Sequence, residues 1–247
     1  MGIYSLPQTE KSFNLELAKG NVPGHSVVFF SGRHPSVSNG GTPTTVWNNT
    51  ANTYPWSAWD AGAAKLYMSS TNVADTCTLL ISGLDASYNL QTEVVVLNGT
   101  TFVNTTKNFL RMNSAVVIST TPPLGTVSIR VGSSVGSIVG IIDANMSSTS
   151  MSIYTVPNGH TAFSTYGDFS CNKGNQAELA VKWRFFGGAF ITVYRTEVYE
   201  SFITSAPLIP GAIPAKTDLD NMVQAVDNAG SRVYSNQQLV LVDNNYL

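Results

Sequence analysis

Charge is scarce in this chain. Its 247 residues include 13 Lys and Arg and 15 Asp and Glu, 11% of the total, against about 25% in a typical soluble domain. The formal net charge is -2. No basic surplus exists to neutralise a phosphate backbone, so no nucleic-acid partner is expected. Hydrophobic residues make up 43%, too many for a chain kept disordered by low hydrophobicity and high charge. Long apolar runs are missing too. Nothing approaches about 18 consecutive apolar residues, so no membrane partner or spanning helix is expected. The opening MGIYSLPQTEKSFNLELAKG lacks a basic start followed by an apolar run, and no signal peptide is expected.

Chemistry-bearing residues are equally sparse. Cys77 and Cys171 stand alone, in neither a C-x-x-C pair nor a His cluster; they read as buried free thiols, with a disulfide joining the two halves as the other reading. His25, His34 and His160 have no metal-ligand spacing among them, and structural or surface roles are expected for all three. There is no G-x-S-x-G, H-E-x-x-H, P-loop or G-x-G-x-x-G. No catalytic residue, metal or cofactor is therefore assigned, and the chain is not expected to be an enzyme. N-x-S/T triplets at Asn48, Asn98, Asn104 and Asn145 matter only in a secretory pathway. Asp218-Leu-Asp220-Asn221 resembles the start of a calcium loop, but Val223 and Ala229 stand where its Gly and Glu belong; it reads as a solvated strand end.

What the chain does have is β pattern from end to end. Runs rich in Val, Ile, Thr, Phe and Tyr are bounded by Gly, Asn, Pro and Asp clusters. Thr76–Ser82 reads as a strand, Gly83–Asn89 as a turn and Thr92–Leu97 as the return. Asn98-Gly99 is a type I′ candidate. Glu178–Phe186 alternates Leu179, Val181, Trp183 and Phe185 against Glu178, Lys182 and Arg184, one dry face and one wet. Turns every 8–12 residues or so predict an all-β fold of two tandem antiparallel β-sandwiches, Ig-like or jelly-roll-like. The expected division is an extended N-terminal arm over 1–21, a first sandwich over 22–137 and a second, jelly-roll-like, over 138–247. The three-proline stretch 206–214 is expected to be an ordered crossing loop.

The most pointed local feature is the aromatic segment from Val46 to Asp60. Trp47, Tyr54, Trp56 and Trp59 sit there among Asn, Thr and Ser. Buried, these rings form a lid over the first sandwich. Exposed, they offer a subunit contact or a sugar-stacking platform, because flat amphipathic rings bury area at little entropic cost.

Longer stretches carry a family resemblance. Pro23-Gly24-His25-Ser26-Val27, Phe30 to Val37, Val46-Trp47, Ile81 to Asn89 and Thr92 to Val103 resemble virion structural proteins of tailed bacteriophages, common in marine and cyanobacterial phages. Tyr154 to Ala162, Phe186-Gly-Gly-Ala-Phe190 and Val198-Tyr-Glu-Ser201 resemble the same family, so the likeness spans roughly 22–243. These are turn and strand patterns and identify no catalytic site. The resemblance implies a non-enzymatic virion component, a capsid decoration or cement protein or one attached at the collar or tail. Its implied partners are copies of itself and other virion proteins of capsid, portal, collar or tail. The alternative is a carbohydrate-binding, receptor-recognition module of a tail fibre or tip, with a host-surface glycan as partner.

Overall fold

The computed structural model describes residues 13–50, 53–172, 174–199 and 211–247. The described part of the expected arm contains a helix: α1 (Phe13–Ala18). Leu17 of α1 is buried against Val240 and Val242. The alternation of Phe13, Leu15 and Leu17 suggested extended chain; docking of Leu17 on a sheet overrides it, as tertiary packing commonly overrides local pattern. Residues 1–12, and 206–210 of the expected crossing loop, lie outside the described residues.

The strands run, in chain order, β1 (His25–Val37), β2 (Thr44–Thr45), β3 (Leu66–Ser70), β4 (Thr78–Leu84), β5 (Leu90–Val96), β6 (Val103–Asn104), β7 (Arg111–Val117), β8 (Val127–Val131) and β9 (Ile138–Ile142). They continue with β10 (Ile153–Thr155), β11 (His160–Cys171), β12 (Gln176–Arg184), β13 (Phe190–Tyr199), β14 (Ala212–Ile213), β15 (Asp218–Val226) and β16 (Ser231–Asp243). All described ladders are antiparallel, and they build four sheets. The all-β expectation holds.

One sheet, in order β1-β16-β11-β14, faces a second, β10-β15-β12-β13, with β2 attached to β15. Phe30, Phe169, Val233 and Leu239 from the first meet Tyr154, Leu179, Trp183 and Leu219 from the second in one core. A third sheet, β6-β3-β8-β9, faces a fourth, β5-β4-β7. Their core holds Leu66, Met68, Leu79, Ile81, Met112 and Ile129. Alternation does the sorting: in β8 every second residue is buried, so the period of two places one set of side chains inside.

Strand pairing does not follow a cut at residue 137. β1 zips along β16 from His25↔Val242 to Val37↔Ser231, with a register shift after His34. β2 joins the second sheet. β9, by contrast, pairs with β8. The sandwich of β3 to β9 is thus inserted between β2 and β10 of the other, and the chain enters and leaves it side by side. Trp47 bridges to Met151 there, and the Asn48 amide donates to the Ser150 carbonyl at 3.1 Å. The physical reason is edge pairing: a 13-residue strand such as β1 needs a full-length neighbour for its backbone groups, and β16 also has 13 residues.

Turn chemistry follows side-chain capping. The Asp85 carboxylate accepts from the amides of Ser87 and Asn89, closing the β4–β5 hairpin. Asp75 accepts from the amides of Leu124 and Gly125 and from Ser70 Oγ, pinning the Pro122-Pro123 turn. Asn98-Gly99 is not a type I′ pair. The bonded turn runs from Asn98 to Thr101, and Gly99 has φ +54 while Asn98 is not among the positive-φ residues. A Cβ on Gly99 would stand 2.2 Å from the Val73 carbonyl oxygen.

Candidate functional site

The described polar groups converge at the seam where the inserted sandwich meets the other. Asp218, at the start of β15, is buried. Arg111 of β7, from the inserted sandwich, donates Nε to Asp218 Oδ1 at 3.0 Å and Nη2 to Oδ2 at 3.2 Å. Arg184, at the end of β12, donates Nε and Nη2 to Asp218 Oδ2 at 2.9 and 2.6 Å. Thr155 Oγ1 of β10 donates to Oδ1 at 2.6 Å. Five donors saturate a carboxylate that has about four lone-pair directions. Asp218 therefore has no acceptor left for a proton transfer or a metal. Burial alone would lower the Arg111 pKa, but the Asp218 bonds and charge outweigh it and raise it.

Both guanidiniums also lie against aromatic rings. Arg111 Cζ is 5.7 Å from the Trp56 ring and 5.8 Å from Tyr88. Arg184 Cζ is 5.2 Å from Trp56 and 4.7 Å from Phe190. Such contacts strengthen as the cation loses water. Asn113 of β7 clamps the seam further, its Oδ1 accepting the Thr155 amide at 3.2 Å.

Asp220 sits two residues along β15, fully enclosed. Its Oδ2 accepts from Trp56 Nε1 at 2.8 Å and Thr45 Oγ1 at 3.2 Å. Its Oδ1 has no partner among the described residues. Burial pushes its pKa up to about 7, a rise opposed by the Trp56 and Thr45 bonds and by Lys182. Asn221 continues the row into the core, donating Nδ2 to Ser152 Oγ at 2.8 Å and Ser235 Oγ at 2.9 Å. Asn221 on β15 and Ser235 on β16 belong to facing sheets, so this network ties the two layers. The Asp218–Asn221 segment is therefore a buried strand, not the solvated strand end its calcium-loop likeness suggested. Paired polar partners on β7, β10, β12 and β16 are what permit the burial.

The four aromatic candidates are all inside. Trp47, Tyr54, Trp56 and Trp59 are 0, 3, 8 and 2% exposed. They pack in the core of the inserted sandwich, Trp47 against Tyr54 and Tyr54 against Trp56 edge to face. Trp59 Nε1 donates to the Tyr54 hydroxyl at 3.3 Å, and burial raises the Tyr54 pKa well above its ordinary range. No ring face of these four is open to a sugar or a neighbouring subunit. Trp56 reaches the seam with its indole N–H, which bonds Asp220.

Cys77 is a buried free thiol; Cys171 is buried as well, its Sγ 3.0 Å from the Asn175 carbonyl oxygen. His34 is buried and its pKa is lowered by that burial. His25 and His160 each turn Nδ1 to a nearby backbone carbonyl. Among the described residues no three His, Cys, Asp or Glu side chains gather as a metal site.

Sequence reading passed over Arg111 and placed Arg184 on the wet face of its strand, whereas Arg184 is part-buried against Asp218. No local signal marked Arg111: it stands between apolar Leu110 and Met112, a pattern that a solvent-facing strand position gives equally.

No known family matches the chain, and no characterised protein matches it in sequence. Among solved structures, the infectious bursal disease virus Gt strain is similar at 11% identity and TM-score 0.26, over 96% of this chain and 79% of that one. The VP2 subviral particle of infectious bursal disease virus is similar at 13% identity and TM-score 0.23, over 90% and 73%. The PBSX exported protein XepA is similar at 9% identity and TM-score 0.21, over 86% and 84%. At these scores the likenesses fix neither a shared fold nor a shared function.

Proposed function

We propose that this chain is a non-enzymatic structural component of a tailed phage virion, decorating or cementing the capsid or attached at the collar or tail. The family resemblance over residues 22–243 supplies the setting. The observation that carries the reading is the seam: the charges of buried Asp218 and Arg111 and part-buried Arg184 are spent on one another, fastening two sandwiches into one unit. A part exposed outside a cell needs that kind of rigidity. Flat sheet faces with exposed apolar residues, such as Val94 and Val96 on β5, suit contact with further copies. The glycan-recognition alternative loses the residues it rested on, because its four rings are in the core.

Quantitative mass spectrometry of purified virions tests the reading. On the order of hundreds of copies per particle places the chain on the capsid, and about a dozen places it at the collar or tail. Absence from the particle overturns the proposal.

A further inference from the structure

We propose that the outer face of the β5–β4–β7 sheet is where two copies of this chain pack against each other. This rests on the self-association just proposed and names its surface. The alternation in β4 turns Leu79 and Ile81 into the core and Leu80 outward. Leu80 lies opposite Val94 on one side and Val116 on the other, so the three form a row across the sheet. Val96 and Ile118 flank Thr78 in the next row, Val96 in register with it and the Ile118 amide bonded to its carbonyl. Val94, Val96 and Ile118 are 56, 57 and 51% exposed. The remaining exposed positions on this face are Leu90 and Ser or Thr, none of them charged; its far end, with Arg111 and Asn113, is buried against the other sandwich in the seam.

That lack of charge selects the occupant. An isologous contact sets a surface against its own copy, so any net charge on it repels itself. A face without charge meets its copy with no such cost, and sheet-on-sheet packing buries the outward rows of both. Strand addition is blocked along the Thr92–Glu93 part of the β5 edge instead. Glu93 accepts from the Thr106 and Lys107 amides, and Lys107 Nζ occupies the Thr92 carbonyl at 2.7 Å. Such covering of an edge leaves the face as the route of contact.

Size sets the strength. Seven residues at about 3.3 Å and three strands at about 4.8 Å give a face of roughly 23 by 14 Å. That is less than half of the roughly 800 Å² per partner in a standard interface. A cleft of about 320 Å³ lined by Val28, Phe29 and Val116 extends it toward β1. The contact therefore closes at high local concentration, as among copies held on one surface.

Sedimentation velocity of the full chain from roughly 10 µM to 1 mM tests this. The expected result is a concentration-dependent dimer that V94K and V94E each abolish and that an equal mixture of the two restores. V135K, on the far more exposed Val135 (88%) outside this face, is expected to leave the dimer intact. Val94 is a surface residue, so both variants should keep the native circular dichroism; V94T, milder still, should weaken the dimer partway. A wild type that stays monomeric throughout, or a dimer that V94K leaves unchanged, overturns the surface. Association that persists in V94K still agrees with a virion role, whereas absence of the chain from particles strikes that role and leaves the dimer measurement standing.

Discussion

Asp218 and Arg111 meet across the seam with two hydrogen bonds, 3.0 and 3.2 Å, each residue from a different sandwich and both buried. A pair this enclosed does little for stability relative to a well-packed apolar pair. Its importance is in what happens when one partner goes.

Asp218→Ala leaves the buried Arg111 guanidinium and the part-buried Arg184 guanidinium without their anion. The expected loss is about 3–5 kcal/mol in urea unfolding. Arg111→Met is expected to cost less than Asp218→Ala, because Arg184 and Thr155 still serve the carboxylate. Equal losses in the two variants would mean that Asp218 depends on Arg111 alone.

Asp220 gives the chain a pH signature. Its folded pKa, about 7, lies above its ordinary 3.8, so the folded state holds a proton that the unfolded state releases between those values. The stability this contributes is full below about pH 4 and is lost as pH rises through 7, by roughly 4 kcal/mol at about 1.4 kcal/mol per pH step. Asp75, Asp85 and Glu93 are lowered instead, chiefly by hydrogen bonds to them, and act in the opposite sense at acid pH. The difference between wild type and D220N isolates Asp220: the wild-type advantage should shrink steadily from pH 4 to 7.5. A difference that stays flat over that window rules out the raised pKa.

Gly32 is fixed by closeness. A Cβ there would stand 2.0 Å from the Val46 carbonyl oxygen and 2.4 Å from the Ser152 nitrogen, two atoms already bonded to each other at 2.9 Å. Gly32→Ala is expected to cost about 3 kcal/mol or more, the upper range for a point change, measured by thermal and urea unfolding. A loss under about 1 kcal/mol would show that β1 can move away from β2 and β10 without penalty.

All four tryptophans, Trp47, Trp56, Trp59 and Trp183, are buried. Emission should be blue-shifted and only weakly quenched by acrylamide, and neutral oligosaccharides should leave it unchanged. Trp59→Ala should cost about 3–5 kcal/mol through the cavity it leaves. Strong acrylamide quenching of the native chain would contradict the packing of the 47–59 segment.

Much of the fold was legible because alternation is a local signal. β4, β5 and β12 lie within two residues of the Thr76–Ser82, Thr92–Leu97 and Glu178–Phe186 readings. Phe185 is the exception at a strand end, exposed beyond Arg184 where the turn to Gly187-Gly188 begins. What was not legible is who pairs with whom. Nothing near His25–Val37 announces a partner at Ser231–Asp243, since antiparallel strands of equal length carry no address. The seam was hidden for a related reason. Asp218 and Asp220 look solvated in a sequence window because their partners, Arg111, Trp56 and Thr45, come from over a hundred residues away. The aromatic segment was ambiguous on its own terms, since amphipathic rings serve cores and contact surfaces alike.

The pairing of β1 with β16 also governs the order of events at the ribosome. β1 emerges about 190 residues before the strand that completes it, while every ladder of the inserted sandwich closes within residues 64–148. That insert can therefore finish folding during translation, and β1 waits for β16 to leave the tunnel. Messages cut short before Ser231 would release a chain with a finished middle and an unpaired opening strand carrying Val27 and Phe29 toward the first neighbour it meets.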